Sequence, residues 1–297
     1  MLKVGFILNG HNHRKKKFYK ELSQVRKELK NVEFNVIETT AQGHATSLAF
    51  EFVNEGYTHI IGVGGDGTLN EVINGIMRHE DPDVVLGVLP YGTANDFVKT
   101  IKLPANMLDL FEAVSKEKFS KIDIGVIHLE NRKHYFLNIA DIGIGAEVVK
   151  RVNRSTKVLG SNLTFFAAIA RTFLSYKNQD VKCHTDHWDY EGKTNSLVMA
   201  NGKYFGSGMC IAPKADLQDG EFSIVISGDI SIRDYLKNIK KIKRGEELIH
   251  PKVQYKTASK LNLTSTDSCG IEADGEFIGY LPAAISIIPK KINLLTI

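Results

Sequence analysis

The chain has 297 residues, 43% of them hydrophobic and 24% charged, which is enough apolar material for one large or two ordinary domains with a full core. A formal net charge of +4 is too mild to mark a nucleic-acid binder, so no nucleic-acid partner is expected. Three widely spaced cysteines, Cys183, Cys210 and Cys269, make neither a disulfide framework nor a zinc signature, no apolar run reaches the length of a membrane span, and the N-terminus lacks a signal-peptide core; a reducing cytoplasm is the expectation, with any membrane contact peripheral.

Taken in order, Lys3 to Leu8 reads as a strand, followed by the loop Asn9-Gly10-His11-Asn12-His13. Phe18, Leu22, Val25 and Leu29 then share one helical face, with lysines 15, 16, 17 and 20 elsewhere. Those lysines read either as a solvated helix start or as an attraction for phosphate or membrane. Val32, Phe34 and Val36 alternate as a second strand ending at Thr39-Thr40. Ala45, Leu48, Ala49, Phe52 and Val53 form a second amphipathic helix, stopped by Gly56. A third, buried strand containing Ile60-Ile61 runs into Gly62-Val63-Gly64-Gly65-Asp66-Gly67-Thr68-Leu69-Asn70-Glu71. Leu69, Val72, Ile73, Ile76 and Met77 then follow at helical spacing. Glycines let a backbone approach polyphosphate closely, and free N–H groups at a helix start attract anions. Asp66 at the centre of that turn orients turn N–H groups, binds a ribose hydroxyl or holds a magnesium. An ordinary strand-to-helix turn explains the glycines alone.

Val84 to Leu89 is a fourth buried strand, ending in Pro90-Tyr91-Gly92-Thr93-Ala94-Asn95-Asp96-Phe97. Strand-helix alternation over about the first 100 residues predicts a doubly wound, mostly parallel sheet, and in such sheets ligands bind at the carboxyl ends of the strands. After Lys118 the texture changes to short β-like runs: Ile122 to Leu129, Tyr135 to Ile139, Val181 to His187, Ser196 to Ala200 and Phe222 to Ile226. Turn signals at Glu191-Gly192, Asn201-Gly202, Asp219-Gly220 and Asp274-Gly275 separate them. The expected organisation is an α/β domain over 1–120, a β-rich sandwich over 121–283, and a C-terminal segment 284–297.

Two helical stretches interrupt the β-rich part. Leu163 to Tyr176, with Phe165, Phe166, Ile169, Phe173 and Leu174, reads as core packing or as the lining of an acyl pocket. Tyr235, Leu236, Ile239 and Ile242 form a stripe with Lys237, Lys240, Lys241, Lys243 and Arg244 largely off it, a pattern shared by solvated helices and by helices that lie on anionic lipid. One short echo stands out: Asp219-Gly220-Glu221-Phe222 recurs as Asp274-Gly275-Glu276-Phe277. Asp-Gly favours a hairpin turn, while two carboxylates at that spacing can hold magnesium or take a proton from an attacking hydroxyl.

Six stretches together resemble the diacylglycerol kinase catalytic family, especially its soluble bacterial lipid kinases, with sphingosine and ceramide kinases similar. They are GGDGTLNE at 64–71, LPYGTANDF at 89–97, IADIGIGAEV at 139–148, NGKYFGSGM at 201–209, IAPKADLQDGEF at 211–222 and IEADGEF at 271–277. The glycine-aspartate turn alone is shared with NAD kinases and phosphofructokinases; the Gly92-to-Phe97 loop and the Asp219 stretch favour the lipid branch. The resemblance implies a nucleotide cleft between an α/β domain of the NAD kinase/phosphofructokinase kind and a β-rich domain, and a C-terminal segment that returns to the first domain. It implies that Gly64, Gly65, Asp66, Gly67, Thr68, Leu69 and Asn70 hold ATP, with Asn9, Thr39 and Thr93. It also implies that Asp274 is the general base with Glu276 beside the nucleotide, and that Asp216, Asp219 and Glu221 surround a magnesium. Two departures are visible. Asn9 is followed by Gly10 and a His/Lys-rich loop where many relatives have Asn-Pro and small residues, and Ser223 stands where many have an acidic residue.

The implied reaction is transfer of the γ-phosphoryl of ATP, with Mg²⁺, to a lipid hydroxyl such as that of diacylglycerol. It would take place at an anionic membrane surface, by a chain that is peripherally associated, with a homodimer as one assembly open to it. The alternatives are an NAD kinase-like small-molecule kinase and an inactive nucleotide-binding regulator.

Overall fold

Alternating apolar residues at the N-terminus build the first sheet from its middle outwards. In the computed structural model, which describes residues 2–26, 32–154 and 161–297, the side chains of 154 and 161–167 excepted, strand β1 is Leu2–Leu8. It is followed by α1 (Lys15–Val25), β2 (Val32–Glu38), α2 (His44–Asn54), β3 (His59–Gly64), α3 (Asp66–Ile76), β4 (Val85–Pro90) and α4 (Met107–Ser115). The strands pair in parallel in the order β2-β1-β3-β4.

Period-two alternation sorts the helices onto the two faces of this sheet. Val4, Phe6, Leu8, Ile61, Val63 and Leu89 pack with Phe18, Leu22 and Val25 of α1 and with Leu110, Phe111 and Val114 of α4. On the other face Gly5 lies so close under Phe52 of α2 that a Cβ would sit 2.5 Å from its ring, and Gly62 leaves 3.7 Å to Val72 of α3. The periodicity expected to reach Leu29 leaves the described residues after α1; Leu29 lies outside them.

The second half begins with β5 (Phe119–Leu129), β6 (Arg132–Phe136), β7 (Ile139–Gly143), α5 (Ile144–Arg154) and α6 (Ser161–Ser175). It continues through β8 (Gln179–His184), β9 (Asp189–Thr194), β10 (Ser196–Ala200), β11 (Tyr204–Phe205), β12 (Met209–Cys210), β13 (Phe222–Ser227) and α7 (Ile232–Lys243). It closes with β14 (Val253–Ala258), β15 (Lys260–Ser265), β16 (Gly270–Ala273), β17 (Glu276–Tyr280) and β18 (Ala283–Leu295). An antiparallel six-stranded sheet runs β14-β13-β10-β7-β16-β17. Its inward residues, among them Ile142, Met199, Ile224 and Ile271, share one core with Phe136, Val181, Leu261 and Ile285 from β6, β8, β15 and the start of β18. Two sheets joined by one apolar layer make a β-sandwich.

By packing, the chain divides into two units, residues 1–122 with 290–297, and residues 123–289. Asn293 and Leu294 of β18 pair in parallel with Val85 and Leu86 of β4, and Lys291 Nζ donates to the Glu80 carbonyl at 2.6 Å.

Several local expectations need correction. Glu191-Gly192 is no turn; both residues lie inside β9. The reversal sits at Thr185–Trp188, where Thr185 Oγ1 accepts from Trp188 N at 2.9 Å and donates to its carbonyl at 2.6 Å. The run Tyr135 to Ile139 is broken at Leu137-Asn138 into two strands, because the N–H groups there bond a carboxylate rather than a ladder. Helix α5 was not anticipated. In α6, Ala168 and Ile169 pack with Ile144, Val148 and Ile242, the core-packing alternative; Phe165 and Phe166, with Leu163, lie outside the described side chains.

Candidate active site

Because β1 to β4 are parallel, the loops leaving their carboxyl ends gather on one edge of the first unit, and hydrogen bonds tie them together. Asn9 Nδ2 donates to Thr68 Oγ1 at 3.2 Å, and Gly10 N donates to Thr39 Oγ1 at 3.1 Å. Asn12 Nδ2 donates to the Tyr91 carbonyl at 3.2 Å, and Gly92 N to the Gly64 carbonyl at 2.8 Å. Gly65 and Gly92 meet main chain to main chain: a Cβ on Gly92 would collide with the Gly65 Cα. Helix α3 starts at this crossing, and its N-cap, Gly65, has no side chain with which to cap it. Such a helix start suits an anion. The start of α2 is already served: Glu71 accepts from Gly43 N at 2.8 Å and Ala45 N at 3.1 Å.

Asp66 orients a loop. Its Oδ2 accepts from Asp96 N at 3.0 Å and its Oδ1 from Phe97 N at 3.2 Å, so both oxygens brace the segment after β4. Burial pushes its carboxyl above the ordinary carboxylate value, and the two N–H bonds oppose that rise. The segment is held from within as well. Asn95, at φ 48°, donates from Nδ2 to the Pro90 carbonyl at 3.1 Å and to the Gly92 carbonyl at 2.9 Å, a left-handed position that asparagine tolerates. Thr93 stands exposed on this loop, and Leu69 and Asn70 are buried at the base of α3.

The remaining candidates belong to the second unit, in two places. Asp216, Asp219 and Glu221 share one loop, where Asp216 Oδ1 accepts from Gln218 N and Asp219 Oδ1 from Glu221 N, each at 3.0 Å. Asp123, which sequence reasoning did not single out, lies fully buried beneath them on β5; its Oδ2 accepts from Gly220 N at 2.8 Å. A lone aspartate in a strand gives no sequence signal. Burial first, and the neighbouring carboxylates Asp216, Asp123 and Glu221 after it, push Asp219 upward against the pull of the Glu221 N–H. Oxygen donors suit a hard cation, but among the described residues no three acidic, histidine or cysteine side chains are placed to hold a metal ion. The loop is therefore not a preformed three-carboxylate cage.

Asp274 and Gly275 form the two-residue turn of the β16–β17 hairpin, with Ala273 opposite Glu276 and φ values of 49° and 85°, as a tight hairpin requires. The Asp274 carboxylate accepts three main-chain bonds, from Leu137 N at 2.9 Å, Asn138 N at 3.1 Å and Ile139 N at 3.0 Å. Asp219 has no such role, and its copy of the sequence leads from a loop into β13. The repeated Asp-Gly-Glu-Phe is thus an echo in sequence and two different structures in space.

Residues 3–127 match the diacylglycerol kinase catalytic domain, and residues 138–296 match the YegS C-terminal NAD kinase beta sandwich-like domain. The chain belongs to the diacylglycerol kinase catalytic-domain family. It is 29% identical over 272 residues to a diacylglycerol kinase of Staphylococcus carnosus, covering 92% of this chain and 87% of that one. With a diacylglycerol kinase of Staphylococcus haemolyticus it is 28% identical over 298 residues, covering 100% and 89%. A diacylglycerol kinase crystal structure from Bacillus anthracis superposes with a TM-score of 0.73 at 20% identity, covering 99% of this chain and 97% of that one; this is a likeness of fold. Family membership supports an ATP-dependent lipid or small-molecule kinase.

Proposed function

We propose that this chain transfers the γ-phosphoryl group of ATP to the free hydroxyl of diacylglycerol, giving phosphatidate. The observation that carries the reading is the glycine crossing at the start of α3, where two loops pack main chain to main chain beside a helix N-terminus without a side-chain cap, an arrangement that suits a polyphosphate. Full-length relatives named as diacylglycerol kinases support the lipid acceptor. In this reading Gly64 to Asn70, with Asn9, Thr39 and Thr93, bind the nucleotide. The acceptor oxygen bonds to the γ-phosphorus, the bond from that phosphorus to the β–γ bridging oxygen breaks, and ADP leaves with the electron pair. Asp274 takes the hydroxyl proton, help worth ~10²–10⁴ in rate, and Glu276 is assigned to nucleotide binding. Asp216, Asp219 and Glu221 are the candidates for a mainly structural magnesium, and a separate Mg²⁺ carried in with ATP would offset phosphate charge.

A second reading has one observation behind it: the C-terminal half matches a domain described as NAD kinase-like. The deciding experiment incubates the protein with labelled ATP, magnesium and, in parallel, NAD and a panel of lipid alcohols in anionic micelles. Label in a phospholipid supports the proposal; label in NADP alone replaces it with the second reading. Label in neither, with ATP bound, supports a regulator.

A further inference from the structure

Two carboxylic acids in the second unit take no part in the proposed chemistry and are almost wholly buried. Asp141 on β7 is 1% exposed and Glu272 on β16 is 2% exposed. They are direct cross-strand partners. Their neighbours Ala140, Ile142, Ile271 and Ala273 point into the sandwich core, so both acids point to the opposite face, beneath α5. Glycines press that helix down: a Cβ on Gly145 would collide with the Asp141 carboxylate, and one on Gly270 would sit 2.9 Å from Ala146 Cβ.

Two carboxylates facing each other without water cannot both stay ionised. Asp274 and Glu276 add negative charge beside Glu272, while the Cys269 thiol and the Tyr176 hydroxyl, which interact with Asp141 and with Asp267, are pushed up by burial and stay neutral. Lys150 of α5 is paired with Glu147. The anion has a better home on Asp141, which accepts from Ser196 Oγ at 2.5 Å and Gly145 N at 3.0 Å next to the N-terminus of α5. Glu272 Oε2 accepts from Gly275 N at 3.0 Å, and Gly275 is the second residue of the Asp274 turn.

We propose that Asp141 and Glu272 hold one proton between them, carried on Glu272, and that the neutral Glu272 is a positioning residue for the Asp274–Gly275 turn. The catalytic half of this inference rests on the kinase reading; the proton does not. A neutral Glu272 holds the turn through the Gly275 N–H without placing another charge behind Asp274. Burial, followed by the Asp141 charge, pushes the Glu272 carboxyl well above its ordinary value; burial also raises Asp141, to about 7, against the bonds from Ser196, Gly145 and Ile142 that favour its anion.

Infrared spectra of the intact protein at pH 7 test the proton directly. The expected result is a protonated-carboxyl carbonyl band that is present in the wild type and lost in Glu272→Gln; identical spectra would overturn the proposal whether or not the protein is a kinase. Steady-state turnover tests the positioning. Glu272→Leu, which removes the acceptor for Gly275, is expected to lower kcat at least about tenfold. Glu272→Gln, neutral and still an acceptor, is expected to recover most of that loss. A Gln variant as impaired as the Leu variant would overturn the positioning role. Absence of transfer in the wild type would instead sink the kinase reading and leave the infrared result standing.

Discussion

Asp66 and Asp274 show how one residue type at two glycine turns does two different jobs. Asp66 braces the segment after β4 through the N–H groups of Asp96 and Phe97. Asp66→Ala leaves those buried donors without an acceptor, at a cost of about 1–3 kcal/mol. Chemical denaturation should show a loss of that size, with a rise in the KM for ATP; unchanged stability would mean the bonds contribute nothing net. Asp274 accepts three N–H bonds, and an asparagine there turns an NH₂ group toward main-chain donors. Asp274→Asn is expected to nearly abolish turnover while ATP affinity stays close to normal, as read by single-turnover and equilibrium-binding measurements on the same sample. Wild-type-like turnover would remove Asp274 from the base role. His59, at the start of β3, is 6% exposed, and burial lowers it to about 4. The unfolded chain protonates this histidine near its ordinary value of about 6.5 while the native chain does not. Its contribution to stability is therefore full above that value and is lost as pH falls toward about 4. The stability difference between wild type and His59→Gln should shrink between pH 7 and 5 in denaturant titrations, and a difference independent of pH would contradict the assignment.

At the scale of elements, the crossing of Gly65 and Gly92 is a contact between two loops, and a single methyl group tests it. Gly92→Ala should keep the fold, by circular dichroism, and raise the KM for ATP about tenfold or more, since a small misplacement of binding groups is costly; an unchanged KM would mean that the crossing does not form the nucleotide cradle. Much of this half was legible in the sequence. Its strands are apolar runs and its helices keep a 3.6-residue period, so pattern and tertiary structure agree at Phe6, Phe18, Phe52 and Ile73. The β-rich half was less legible because its turns depend on distant partners. Gly192 reads as a turn residue yet sits in β9, with reversal supplied by the Thr185 hydroxyl. The break at Leu137-Asn138 exists because the carboxylate of Asp274, far along the chain, collects those N–H groups. The pair Asp141 and Glu272 was invisible, since an acidic residue in a strand gives no hint of the acid opposite it.

For the whole molecule, the sequence pattern led to the fold class, an α/β half followed by a β-sandwich, and the family match agrees. No helix among the described residues is long and apolar enough to cross a membrane. The identity of the acceptor cannot be read from main-chain geometry, because a cradle for phosphate is indifferent to the alcohol that attacks it. The central claim is that this chain phosphorylates a lipid hydroxyl with ATP. The direct test is to supply diacylglycerol in anionic micelles with ATP and magnesium and to quantify ADP and phosphatidate together by mass spectrometry. The account predicts equimolar ADP and phosphatidate from the wild type, with both falling to background in Asp274→Asn. ADP without phosphatidate, or equal yields from the two proteins, would contradict it.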